Sequence, residues 1–385
     1  MASPLFRKSI LALAVLTAPH AIAATINLTG SPAAINVNML DDLTVTGAAS
    51  GTASDSQVLS IWPWGQVGNI TNQASLSNQA DNGIALNIEP GSLFAGYIST
   101  LTNEGQISSN GINSSAISLG TDPLVGIGLI SIDGLMSNSG TVESTGSASA
   151  GIRLKAFQAT SGLLNTGTIS ASGEQASGII CSSICLLLGN LENRGSISAV
   201  GSNSSAINLA TAVLQNTLIN SGTLQSSGNN STAVILGSEA GLFNQDSGRI
   251  LASGIGSRAV HFTGTASDEQ AHISQSGLIS AEGSESIALY LETPANIDWL
   301  EDQGSIQASG AGSRAIVLGN RYFDEPSNQS ASAIISRGGR IEADGIGIDI
   351  AATPDLYQGV ANWAEIELNN SLLSGGQASV RAQGN

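Results

Sequence analysis

Basic residues are scarce in this chain. Among its 385 residues, 12 are Lys or Arg against 29 Asp or Glu, for a formal net charge of -17, and the only lysines are Lys8 and Lys155. A surface this acidic does not gather phosphate backbones or anionic headgroups, which excludes nucleic acid and an anionic membrane surface as partners. Aromatic residues make up 4% of the chain, so its interior cannot be built from large rings. Cysteine is limited to Cys181 and Cys185, too few for a disulfide-stapled scaffold or a cysteine-rich zinc site. Past the N-terminal leader no segment approaches the twenty or so apolar residues that a membrane-spanning helix needs. The glycine-rich stretches are not followed by Lys-Ser/Thr and a helix, so they are not phosphate loops, and no cofactor is expected.

What the chain has instead is repetition. The stretch Leu218 to Gly237, LINSGTLQSSGNNSTAVILG, returns along nearly the whole sequence. With Gly222 as its anchor, equivalent glycines stand at Gly105, Gly140, Gly167, Gly195, Gly248, Gly277, Gly304 and Gly339, with a decayed copy at Ala74. Neighbouring anchors are separated by as little as Gly222 to Gly248 and as much as Gly105 to Gly140, the range in which a fixed period means stacked repeats rather than one globular core. A second glycine follows each anchor at a constant offset, as in Gly201, Gly228 and Gly254.

Each offset has its own chemistry. Two after the anchor the residue is aliphatic: Ile107, Val142, Ile169, Ile197, Leu224, Ile250, Ile279, Ile306, Ile341. Four after, it is Ser or Ala; farther on, aliphatic pairs recur as in Ile117/Leu119 and Val234/Leu236. Alternation of this kind means strands, with glycines at the corners, and the lack of apolar residues three and four apart excludes helix. Two before the anchor runs Asn72, Asn103, Asn138, Asn165, Asn193 and Asn220, continued by Asp246, Gln275 and Asp302. Asn can bond its own copy in the coil above, so this series predicts an internal amide ladder. One coil cannot bury its own aliphatic face, whereas stacked coils bury a continuous column. The fold expected is therefore all-β, a right-handed single-stranded parallel β-helix of about ten coils over residues 72–350, rising about 4.8 Å per coil.

The ends differ from the repeats. Arg7 and Lys8, the apolar run Ile10 to Ala18, and Ala21-Ile22-Ala23 read as a secretory signal peptide over residues 1–23. Its removal leaves 10 basic against 29 acidic residues, a charge of -19. Residues 24–71 are read as an N-terminal cap, with Trp62 and Trp64 either covering the open end or forming a carbohydrate platform. Residues 351–385 continue the repeat pattern. Three stretches, Gly120 to Gly134, Thr293 to Leu300 and Gly319 to Ser330, are longer than their counterparts and predict loops. Cys181 sits at an inward offset, which suits either a small core residue or a local bridge to Cys185.

Asp246-Ser247-Gly248 occupies the Asn-x-Gly slot of the repeat, and His261, between the inward Val260 and Phe262, should face solvent and away from Ser247. Acids are scattered rather than grouped for calcium or for sugar hydrolysis, and no metal site is expected. The expectation is a non-enzymatic protein, with a β-helix polysaccharide lyase or hydrolase as the alternative.

The repeat φ-x-N-x-G-x-(I/V/L)-x-(A/S)-x-G followed by A-I-x-L, behind a secretory leader, resembles the passenger domains of autotransporters, the type V secretion proteins of Gram-negative bacteria. The resemblance covers about residues 70 to 350. It implies export, display on or shedding from the outer surface, and adhesion or aggregation. It further implies an outer-membrane β-barrel translocator, expected outside this chain, and a periplasmic location where that barrel is absent. Partners implied are a host-cell or bacterial surface receptor, carbohydrate, or self-association. The contact surface expected lies thirteen after each anchor, where Ile180, Ile235, Tyr290 and Val317 place apolar groups outward, with Arg321, Tyr322 and Phe323 in the adjoining loop.

Overall fold

The computed structural model describes residues 23–382 apart from 38–41, 64, 91–95, 122–128, 238–239, 264–270, 293–294, 301–302, 320–331 and 351–363. Every strand pairing within the described residues is parallel, and each strand pairs with the strand one coil away. A repeat supplies three faces. In the central coil, face one is Thr217–Asn220, face two is Thr223–Ser227 and face three is Thr232–Leu236. Among the described residues, face three stacks thirteen strands, from Ala33–Val37 to Ala378–Ala382. Ten of these lie between Ile84 and Ile350, matching the ten coils that the repeat count expects there. The chain is a parallel β-solenoid.

Residues 24–71 carry the same ladders as the repeats. Ala33–Val37 pairs with Gln57–Pro63, which pairs with Ile84–Ile88, and Leu43–Gly51 lies against both Ala24–Gly30 and Ser75–Asn78. The stretch expected to cap the rod is thus laddered into it. Trp62 donates its indole N–H to Glu89 at 3.1 Å, while Trp64 and the leader fall outside the described residues. Of the three stretches expected as loops, Thr293 to Leu300 is mostly strand, Ala295–Leu300. Ile130–Ile132 likewise forms part of an extra short strand layer, together with Phe157–Ala159, Cys185–Leu187 and Ala212–Leu214.

The residue two after each anchor forms the column that the coils share. Leu224 lies opposite Ile197 on one side and Ile250 on the other, and all members from Ile107 to Ile341 are fully buried. Each such side chain contributes roughly 1.5–3 kcal/mol of burial. The anchor glycines follow from how closely coils stack at the corner: a Cβ on Gly222 would sit 2.1 Å from the carbonyl oxygen of Gly195. The second glycine has a further reason. Gly228 has φ +128, and its Cβ would meet Gly201 O at 2.3 Å, so neither the conformation nor the space admits a side chain.

Beside this column runs the amide ladder. Asn72 donates to Asn103 at 2.8 Å, Asn103 to Asn138 at 2.7 Å, and Asn138 to Asn165 and Asn165 to Asn193 at 2.8 Å each. Asn193 continues to Asn220 at 2.9 Å, Asn220 to Asn244 at 2.8 Å, and Asn244 to Gln275 at 2.9 Å. All eight side chains are buried. One member differs from the sequence expectation. Asn244, not Asp246, holds the slot, and Leu242 lies opposite Leu218, because the corner from Asn244 to Gly248 is two residues longer than its neighbours. Gln275 in turn donates through Nε2 to the carbonyls of Gly277 at 2.7 Å and Ser305 at 3.2 Å, as Asn165 and Asn193 donate to the equivalent carbonyls of their coils. Asp302 falls outside the described residues.

Candidate functional surface

Face three carries the densest grouping of chemically capable side chains, and the reason lies in its strand geometry. The alternation is interrupted once: Ala116, Gly151, Gly178, Ala206, Ala233, Ala259, Ala288 and Ala315 are skipped in the pairing, and those that have a Cβ bury it completely. The residues before and two after this position then both face outward. Arg153 shows the result, reaching Ser115 Oγ of the neighbouring coil with its Nε at 2.9 Å. Two outward rows therefore run side by side along the rod.

The row thirteen after the anchor reads Ser118, Arg153, Ile180, Asn208, Ile235, His261, Tyr290 and Val317, in consecutive register, and Asp349, ten after Gly339, continues it opposite Val317. It is less open than expected. Ile180, Ile235 and Tyr290 are partly buried and Val317 is buried, since rows about 4.8 Å apart leave each side chain covered by its neighbours. Arg321, Tyr322 and Phe323 lie outside the described residues.

His261 is the clearest departure. Its ring points outward, yet its side chain is only 13% exposed. It stacks on Tyr290 with centroids 4.8 Å apart and planes 25° apart. Arg258 lies over the same tyrosine at 5.3 Å, and Glu292 Oε1 approaches His261 Nε2 to 3.0 Å without an aligned hydrogen bond. Burial lowers the His261 pKa, with the Arg258 charge acting the same way against the raising effect of Glu292. Burial, then Glu292, pushes the Tyr290 hydroxyl up. Farther along, Arg314 lies 3.6 Å from Asp349 and 4.0 Å from Glu285, and Asp349 receives Arg381 through both Nε, at 2.8 Å, and Nη2. Burial and multiple partners make this Asp349 site a structural clamp between the last coils rather than an open charge. Arg258, Glu292 and Asp349 were not singled out from sequence; they meet His261 or Arg314 only once coil lengths are known.

Ser247 donates its hydroxyl to the Ser221 carbonyl at 2.7 Å, at the corner before face two, and takes no part in the His261 group. Among the described residues, no group of three His, Cys, Asp or Glu is placed to hold a metal ion. Cys181 and Cys185 form a disulfide, with Cα atoms 6.1 Å apart. Both point inward, 4% and 2% exposed, in the slots that Leu154 and Phe157 fill one coil earlier.

No known family's sequence profile matches this chain, and no curated protein matches it. Among solved structures the chain is similar to one in the cryo-EM structure of the Vag8–C1 inhibitor complex. The identity is 15%, 95% of this chain and 98% of that chain are covered, and the TM-score is 0.47. The solenoid described above is read from this chain's own strand register.

Proposed function

We propose that this protein is an exported, surface-displayed rod of the autotransporter-passenger kind, acting by adhesion rather than by catalysis. The observation that supports the reading most is the unbroken parallel register of face three from Ala33 to Ala382, behind a leader that reads as a signal peptide. A rod of this build presents long regular faces and gives extended partners many weak contacts. The face-three row around Ile235, His261 and Tyr290 is the part of it where aromatic, aliphatic and charged groups meet at the surface. A receptor or glycan on another cell is the partner class this mixture suits.

The test is display of the chain on a Gram-negative host by fusion to a β-barrel translocator. The intact chain should be cleavable by protease on whole cells and should increase binding to target cells. A variant with Ile235→Lys and Tyr290→Lys should be displayed at equal density and bind less. Equal binding by both removes this row from the reading, and failure of either to reach the surface removes the export reading.

A further inference from the structure

We infer that face three, from Arg153 to Arg258, is a binding strip for a linear polysaccharide that carries carboxylates. The charges of this rod are sorted by face. Among the described residues, the thirteen strands of face three hold four arginines, Arg153, Arg258, Arg314 and Arg381, and a single acid, Asp349, out of 29 acidic residues in the chain. The other strand acids stand on faces one and two, as Glu143, Glu192, Glu282 and Glu342 do. Asp349 is taken by Arg381 and Arg314. Arg153 and Arg258 are left, and among the described residues neither is paired with a carboxylate. Arg153 uses Nε on Ser115 and Nη2 on the Ala148 carbonyl, at 3.0 Å, and burial lowers its pKa from the ordinary arginine value. Arg258 rests on the Tyr290 ring, and its buried Nε has no partner. A partly buried guanidinium without a counter-charge is unfavourable, and an anion arriving from outside relieves it.

Spacing and floor select the ligand. Four coil steps separate the two arginines, about 19 Å along the rod, so a ligand that meets both is long and charged at intervals. Between them the outward row reads Ile180, Asn208 and Ile235, each partly buried. Two aliphatic side chains and an amide make a shallow floor suited to the C–H faces and hydroxyls of sugar rings. No aromatic residue stands in that row between the arginines, so the strip lacks the stacking platform that a single-stranded nucleic acid uses. An acidic peptide is disfavoured by the sheet itself, whose backbone groups are bonded to neighbouring coils and leave no edge for an added strand. Arginine's planar fork meets a carboxylate in two parallel hydrogen bonds. At about 0.15 M salt charges are screened beyond about 8 Å, so the acids of the other two faces do not cancel the strip. Glu285 and Glu292 stand one coil beyond Arg258 and close it at that end. This inference rests on face three being the contact surface, and purified protein keeps its test apart from display and cell binding.

Fluorescence anisotropy of the purified mature chain with labelled polygalacturonate oligomers, at about 0.15 M salt, tests it. Binding is expected, and the methyl-esterified oligomer, which keeps the sugar backbone without the charge, should not bind. Arg153→Gln and Arg258→Gln should each weaken binding about fivefold or more, at an unfolding midpoint that shows the rod intact. Arg258→Lys, which keeps the charge but not the fork, should fall between the parent and Arg258→Gln. Arg194→Gln and Arg249→Gln remove the same charge away from face three and should leave binding unchanged. No binding by the parent, equal binding of the esterified oligomer or of single-stranded oligodeoxythymidylate, or equal losses from Arg194→Gln or Arg249→Gln would each overturn the assignment.

Discussion

Two sets of asparagines occupy this rod, and they are there for different reasons. The inner set, Asn72 to Asn244, is buried and joined in one line of side-chain hydrogen bonds. The outer set sits at the corner between faces two and three, where Asn82, Asn113, Asn203 and Asn230 have φ between 53 and 56 and are exposed. In other coils that corner slot is filled by Ala148, Gln175, Glu285, Gly256 or Gly312, all with positive φ. The inner slot demands an amide that donates and accepts at once, whereas the corner slot demands only a residue that tolerates the left-handed conformation. The same residue type is thus fixed by side-chain chemistry in one place and by backbone conformation in the other.

Substitutions can break this contrast, and the largest effect should come from the column against which the inner set lies. Leu224→Asp places an unpaired charge among fully buried neighbours and should cost about 4 kcal/mol or more, read from the denaturant midpoint. Unchanged unfolding would remove the shared column from the account. Asn165→Ala should cost about 1–3 kcal/mol, because Asn138 loses its acceptor and Asn193 its donor while both stay buried. Asn203→Gly should lie within about 0.5 kcal/mol of the parent, since glycine already serves the same corner at Gly256 and Gly312. A loss at Asn203 as large as that at Asn165 would erase the distinction between the two sets.

The smallest effect concerns His261. Its folded pKa is lowered, so the unfolded chain binds the proton first as pH falls. The contribution is complete above the ordinary histidine value of about 6.5 and is lost as pH drops from there to the lower folded value. Carboxylates titrate over part of the same range, so the quantity to measure is the difference between the parent and His261→Gln. That difference should narrow below about pH 6.5 and be flat above it.

Much of this architecture was legible because stacking imposes the same demand on every coil. The aliphatic residue two after each glycine, the glycine pair and most of the amide ladder could be read by offset alone. The failure at Asn244 shows the limit of that method. The corner between ladder and glycine lies outside the strands and can lengthen by two residues without disturbing the pairing on either side, so distance from the glycine does not fix the ladder slot. The burial of Val317 and His261 was illegible for another reason. Alternation says which way a side chain points, not what its neighbours one coil away leave open, and the contacts of His261 with Tyr290 and Glu292 join residues from different repeats.

Side-chain amide hydrogen exchange, followed by NMR on the mature chain, tests the central claim most directly. The Nδ2 protons of Asn103, Asn138, Asn165, Asn193 and Asn220 are each given to the next amide within the buried line, so they should exchange only on coil opening, orders of magnitude slower than those of Asn203 and Asn230. Equal exchange rates for the two sets would contradict the ladder and, with it, the stacking of coils that the ladder requires.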